Sequence, residues 1–293
     1  MMYTGRWVRV HKPPSSTERI KQGVQPVTRI HDDDAAQALG FREGIVGGLT
    51  LASVTTGAIA ASLGHAWYEG GTYSVRHRNP VYEGDIRVLW EESHPEPGDA
   101  KRIDFHLEDR EGNTSTYGWA SIAQPGRKPL PPWERYPASH ASVGEDCLPE
   151  MKVGPARPPF EAIVTRQEAV DRLDRISDFN WWYRIASPWG DPILTPFEIA
   201  YMLYQGLRMP AETTRSSRLR TSMDAGTDMV VYHPLFVDRK YTVKSWLCDK
   251  WQTTRSVFFC TEYSYEDENG KLVAMMRSYS AHLIRDLAPA EFG

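Results

Sequence analysis

Residues 44–64 limit the folds open to this chain more than any other segment. They read GIVGGLTLASVTTGAIAASLG and carry no charge over 21 residues. Five glycines and five serines or threonines make the stretch too weakly hydrophobic for a membrane span. A helix that is uncharged all round in a soluble protein is buried on every side. We therefore predict a buried helix whose small residues let neighbouring backbone approach closely.

Patterns typical of β-strands follow this helix. Apolar residues alternate with others at Ile86, Val88 and Trp90, and again at 103–107, which is the period of strands with one face on a core. The sequence DREGN at 109–113 predicts a hairpin turn into a returning strand. The first part of the chain is therefore predicted to be α+β, with a buried helix followed by an antiparallel meander.

A proline-rich segment divides the chain. Nine prolines lie between residues 123 and 160, where they are expected to exclude regular ladders and to favour extended backbone. The predicted parts are an N-terminal half at 1–124, a linker at 125–156 and a C-terminal half at 157–293.

After the linker the pattern starts again. Helical spacing returns at 166–176 behind a capping box of Thr165 and Glu168, and an apolar helix is predicted at 196–208. Three landmarks recur in the same order with offsets of 148, 154 and 158 residues: Ile45 and Ile193, Asn79-Pro80 and His233-Pro234, Gly112 and Gly270. The nearly constant offset predicts an internal repeat, and two unrelated α+β domains are the alternative.

A buried helix wrapped by a curled antiparallel sheet, occurring twice, resembles the double hotdog fold. Residues 30–50, IHDDDAAQALGFREGIVGGLT, resemble the signature of the MaoC-like acyl-thioester hydratases and dehydratases. That signature has a His, an Asp two residues later, a short Ala-rich helix and a glycine-containing turn. The family's catalytic motif is Asp-x-Asn-x-x-His, and the resemblance implies that its Asp and His hold the water that adds to an enoyl thioester.

Each half of the chain keeps only part of this motif. In the first half His31 is present, but a proline and a threonine occupy the Asp and Asn positions. In the second half Asp178 and Asn180 are present, and Tyr183 occupies the His position. His31 and Tyr183 are 152 residues apart, so the repeat aligns the two stretches.

The second half contains the leading candidate for the catalytic base, Asp178, although an N-cap is the structural alternative for an Asp at this position. Asn180 either holds a substrate carbonyl or water, or closes an Asx turn, which we favour. Tyr183 either donates a proton or packs within the aromatic loop. Trp181, in the same loop, is a candidate for substrate binding.

In the first half His31 is a candidate acid–base residue, since histidine titrates near neutrality. Its structural alternative is a contact with the N-terminus of the short helix that follows. Gly47 and Gly48 suit the close approach of an oxyanion to the backbone. Pro196, at the matching helix start of the second half, has no N–H to offer.

The leading functional hypothesis is a cytoplasmic lyase that hydrates an enoyl thioester or dehydrates a 3-hydroxyacyl thioester of the coenzyme A type. No metal and no other cofactor is expected, and the interpretation allows a homo-oligomer. A net charge of −4 argues against a nucleic-acid partner, and neither a membrane partner nor a signal peptide is expected.

Two alternatives to the lyase hypothesis stay open. One is a divergent hotdog enzyme, acting as a thioesterase or by elimination on an aromatic substrate. The other is a non-catalytic acyl-binding subunit.

Overall fold

The computed structural model describes residues 4–13, 30–137, 140–143, 148–149, 151–176, 180–206 and 219–284. In these ranges strands β1 to β10 span Thr4–Val10, Gly71–His77, Gly84–Ser93, Asp99–Glu108, Thr114–Ala123, Gly154–Ile163, Leu219–Val231, Lys240–Gln252, Ser256–Glu266 and Leu272–Ile284. Helices α1 to α9 span Asp33–Gln37, Gly48–Ser53, Thr56–Leu63, Trp67–Gly70, Pro132–Arg135, Arg166–Asp174, Trp181–Arg184, Pro196–Tyr201 and Leu203–Gly206.

All ten strands form one sheet, and every neighbouring pair is antiparallel. The strand order is β1-β3-β4-β5-β2-β7-β10-β9-β8-β6. Its last five strands repeat the first five in reverse, with β2 and β7 as counterparts at the centre. There Tyr73 lies opposite Met229. Two five-stranded units therefore meet edge to edge, which joins the two halves into one continuous sheet.

The backbone repeats the same contacts at the start of each apolar helix. Ile45 forms a bridge with Tyr82, and Ile193 forms the matching bridge with Phe236. In each half the residue after the isoleucine also donates its amide, at 2.7 Å, to the carbonyl before the bridge partner. These pairs are 148 and 154 residues apart, the offsets of the sequence landmarks. The internal repeat is therefore a repeat of backbone hydrogen bonds as well.

The buried helix predicted within residues 44–64 is divided in the structure into α2 and α3. The hydroxyls of Ser53, Thr55 and Thr56 each donate to the carbonyl three residues earlier, at 2.6 to 2.7 Å. Such bonds compete with the regular helical ladder, which explains the break. Residues 51–56 are all buried, as expected. No helix in the described part of the chain is long and apolar enough to cross a membrane.

The predicted helix at 196–208 appears as α8 and α9, and its last two residues lie outside the described ranges. The proline-rich segment also differs from its prediction, because β6 begins inside it. A ladder is compatible with these prolines since β6 is an edge strand and pairs with β8 alone. Its register shifts next to Pro155 and Arg157, which locally interrupt the pairing.

Two local predictions are confirmed. Thr165 and Glu168 form the capping box at the start of α6, with Glu168 N donating to Thr165 Oγ1 at 3.2 Å. The hairpin turns of the two halves place Gly112 and Gly270 at φ of 84° and 74°. A non-glycine residue is disfavoured there, which explains why both turns contain glycine.

Candidate active site

His31 lies just before α1, and its ring packs against the start of α2. Its Nδ1 lies 2.7 Å from the carbonyl oxygen of Ile45. A carbonyl can only accept, so Nδ1 carries the proton and Nε2 is the acceptor nitrogen of the neutral ring. His31 Cε1 and Nε2 lie 3.5 and 3.9 Å from the point that a Cβ on Gly47 would occupy. The basic nitrogen is thus held beside the N-cap of α2.

Asp33, the carboxylate of the signature, has a structural contact. Its Oδ1 accepts from Lys12 Nζ at 2.5 Å and from Gly44 N at 2.9 Å. The Lys12 ammonium and then the Gly44 amide lower the pKa of Asp33. A Cβ on Gly44 would lie 2.1 Å from the carbonyl oxygen of His31. Asp33 and Gly44 therefore close the loop that holds His31 in place.

Tyr183 occupies the position of His31 in the second half, as the sequence alignment predicts. Ile45 N donates at 3.1 Å to the carbonyl of the residue before His31, and Ile193 N donates at 2.9 Å to the carbonyl of the residue before Tyr183. The same backbone bond therefore positions both side chains.

The surroundings of Tyr183 are closed and aromatic. Its side chain is 1% exposed, and its hydroxyl is hydrogen-bonded to that of Tyr68. Tyr68 in turn makes edge-on contacts with Trp182 and Trp189, with ring centroids 6.1 and 6.0 Å apart. Tyr183 is therefore packed between the halves of the chain, and its predicted role as a proton donor stays a prediction.

Asn180 and Trp181 lie in the same turn as Tyr183. Asn180 Oδ1 accepts from Trp182 N at 3.0 Å and caps α7, which is the Asx-turn alternative for this residue. The Trp181 side chain is 64% exposed. Asp178 lies outside the described residues, so its role as a base stays a prediction.

The sequence motifs did not indicate two titratable side chains that lie against α2. A Cβ on Gly48 would lie 2.7 Å from Asp224 Cβ, 2.9 Å from Asp224 Cγ and 2.8 Å from His77 Cδ2. Asp224 comes from β7 and His77 from the end of β2, so both reach the first turn of the helix. A residue larger than glycine at this position would require Asp224 or His77 to shift.

One polar atom of each side chain is buried and unpaired within the described ranges. Asp224 Oδ1 accepts from Gly226 N at 3.0 Å, whereas Oδ2 has no hydrogen-bond partner among the described residues. His77 Nδ1 lies 3.1 Å from Thr116 Oγ1, whereas Nε2 is likewise without a partner in that part of the chain. Two polar atoms that can hydrogen-bond a ligand therefore approach the same helix start.

Burial controls the protonation of both groups. Desolvation raises the pKa of Asp224 to about 7, although the Gly226 amide and the Arg76 charge act in the opposite direction. Desolvation, with the Arg76 charge, lowers the pKa of His77 to about 4. At neutral pH His77 is therefore uncharged, and the Asp224 carboxyl still retains protonated form.

Among the described residues, the start of α8 has no counterpart to this pair. The repeat places Val231 at the position of His77 and glycines, Gly70 and Gly71, at that of Asp224. The first turn of α8 is also capped by its own side chains, because Thr195 and Glu198 form a capping box there.

Among the described residues no three His, Cys, Asp or Glu side chains cluster as metal ligands would.

No protein-family model matches the sequence, and no curated protein matches it. Solved structures, however, are similar over nearly the whole chain. One is a conserved hypothetical protein of Mycobacterium tuberculosis described as having a double hotdog fold. It is 13% identical, with 97% of both chains covered and a TM-score of 0.56.

Two further solved structures are described as dehydratases. A MaoC-like dehydratase is 13% identical, with 94% of this chain and 97% of its own covered and a TM-score of 0.56. A Chloroflexus aurantiacus protein described as a MaoC domain protein dehydratase is 11% identical, with 98% and 97% covered and a TM-score of 0.54. Together with the ten-stranded antiparallel sheet, these likenesses confirm the prediction: the chain has the double hotdog fold of the MaoC-like dehydratases.

Proposed function

We propose that this chain is an acyl-thioester enzyme that hydrates an enoyl thioester or dehydrates a 3-hydroxyacyl thioester of the coenzyme A type. The observation that carries the proposal is the orientation of His31. Its Nδ1–H is held by the Ile45 carbonyl, and its basic Nε2 lies beside Gly47. The likeness in fold to MaoC-like dehydratases supports the class of reaction. We also propose that each half-sheet curls around its own apolar helices, which their burial supports.

The chemistry needs a base for water and donors for the thioester oxygen. In the direction of hydration, Nε2 of His31 accepts a proton from water while the water oxygen bonds to the β-carbon. A positioned base contributes about 10²–10⁴ in rate. Gly47 and Gly48 are the proposed backbone donors to the enolate oxygen, because the first amides of a helix have no partner within it. Dehydration is the same path in reverse.

The proposal places the chemistry in the first half of the chain. Tyr183, at the matching place in the second half, is buried against Tyr68 and has no imidazole to accept a proton. A phenol with an ordinary pKa near 10 is a poor base at neutral pH. Asp178 keeps its proposed role as a base only if the second half contains a cleft of its own.

The test is to identify the product formed from defined thioesters. The purified full chain is incubated with crotonyl-CoA and with 3-hydroxybutyryl-CoA, while the conjugated double bond is followed by absorbance and thiol release by a thiol reagent. We expect the double bond to be consumed, or formed, without release of thiol. Thiol release would instead show a thioesterase. Binding without either change would show a non-catalytic acyl-binding subunit.

A further inference from the structure

We propose that Asp224 is the catalytic acid that gives a proton to the α-carbon of the substrate, and that His77 is its positioning residue. This inference rests on the proposed function, because it identifies the acid that acts together with the base His31. The sequence has no Asp at the motif position five residues before His31. Asp224 reaches the same helix start from the other half of the chain.

The location is the first argument. Asp224 and His77 lie against Gly48, and His31 lies against the neighbouring Gly47. The three side chains therefore surround one turn of backbone, although they come from three different segments. A substrate whose thioester oxygen points at this turn would have His31 and Asp224 beside it.

The unpaired atoms are the second argument. Asp224 Oδ2 and His77 Nε2 are shielded from solvent and lack partners within the described ranges. Burying a polar atom without a hydrogen bond is destabilising, so native proteins contain few such atoms. Two such atoms beside one helix start can therefore hydrogen-bond a substrate or a bound water.

The asymmetry between the halves is the third argument. At the start of α8 the repeat places Val231 at the position of His77, and Gly70 and Gly71 at that of Asp224. Val231 is completely buried in the core. The fold therefore forms without an acid or an imidazole at these positions, and their presence at the start of α2 needs a different reason. The raised pKa of Asp224, about 7, supports this reason because it keeps protonated carboxyl available at neutral pH.

The proton balance closes with these groups alone. Water gives one proton to His31 Nε2, and its oxygen forms the bond to the β-carbon. The electrons of the double bond then take the proton of the Asp224 carboxyl to form the new C–H bond at the α-carbon. The proton on His31 afterwards returns to the Asp224 carboxylate through water. The net reaction is the addition of one water, with no oxidant or reductant.

The test compares matched substitutions on strand β7. Asp224→Asn keeps the shape and removes the acid, so crotonyl-CoA turnover should fall by about 10²–10⁴ with the melting temperature unchanged or raised. Asp228→Asn is the control, because Asp228 lies on the same strand and is buried, but its Oδ1 accepts from Arg76 Nη1 at 2.7 Å. That variant should lose melting temperature and keep turnover within a few-fold.

The pH profile provides a readout that a structural role would not change. Hydration by the wild type should slow as the pH rises above about 7, because Asp224 loses its proton. Asp224→Asn should lose this limb, and His77→Gln should move it to a different pH. If the wild type is active but Asp224→Asn keeps full turnover and the same decline at high pH, the assignment of Asp224 is wrong and the proposed function still stands. A wild type that converts no thioester overturns the proposed function, and this assignment with it.

Discussion

The start of α2 and the start of α8 are the same place in two copies of one fold, yet different side chains surround them. At α2 the N-cap is Gly47, which has no side chain to pair with the first amides, and titratable groups approach it. At α8 the N-cap is Thr195, and the capping box with Glu198 satisfies the helix start. Tyr183 closes the turn beside it. Both halves keep the backbone hydrogen bonds that the fold requires. The side chains that differ between the two helix starts are not required by the fold and can therefore serve function.

The largest expected effect separates the two equivalent motif residues. His31→Gln should lower turnover of an enoyl-CoA by about 10²–10⁴, because the glutamine amide cannot accept the proton of water. Tyr183→Phe should change turnover by no more than a few-fold, although the bond to Tyr68 is lost. Steady-state kinetics on both variants makes the comparison. Equal losses would mean that both helix starts take part in catalysis, which contradicts a site at the start of α2 alone.

A substitution at Gly48 should disturb both the fold and the site. Its Cβ would lie within 3 Å of Asp224 and His77, so Gly48→Ala should destabilise the protein by about 1–3 kcal/mol through overpacking. The control is Gly70→Ala, where a Cβ would meet nothing within 4 Å. Denaturant unfolding measures both changes. A Gly48→Ala variant as stable as the wild type would show that Asp224 and His77 move away at little cost.

The two titratable groups at the start of α2, Asp224 and His77, should give opposite pH dependences of stability. The pKa of Asp224 is raised from 3.8 to about 7, so its stabilising contribution is complete below pH 3.8 and is lost as the pH rises to 7. The pKa of His77 is lowered from 6.5 to about 4, so its contribution is complete above pH 6.5 and is lost as the pH falls to 4.

In the wild type these two effects oppose each other over the same pH window. Asp224→Asn should therefore lose more stability than the wild type when the pH is lowered from 7 to 4, and His77→Gln should lose more when it is raised. Unfolding by urea at several pH values measures both slopes. Parallel curves for the three proteins would show that neither group titrates in the folded state as its burial requires.

The smallest effect is expected at Asp178. If the first half carries the chemistry, Asp178→Asn should change turnover by less than about tenfold, below the loss typical of a catalytic base. Kinetics and melting temperature are measured together, because a cap would change stability first. A loss comparable to that of His31→Gln would instead move the base to the second half and reverse the comparison of the two helix starts.

Local patterns in the sequence determined much of the fold. The alternation in β3 and β4, the hairpin glycines and the capping box at Thr165 each depend on neighbours along the chain, so they were readable without a structure. The repeat offset also aligned His31 with Tyr183. The sequence pattern did not predict the break between α2 and α3. Hydroxyl side chains that bond to the backbone interrupt a helix without changing its apolar pattern.

The tertiary structure alone brought the candidate site together. His77 and Asp224 are 147 residues apart and become neighbours because β2 pairs with β7 at the centre of the sheet. Burial shifts the pKa values of both side chains. Neither sequence segment indicates this burial, because it arises only where the two halves of the chain meet. Only the paired glycines at 47 and 48 indicated in advance that something must come close to this helix. What comes close is an imidazole and a carboxyl, because the pairing of the two halves places two distant strands, β2 and β7, against one helix start.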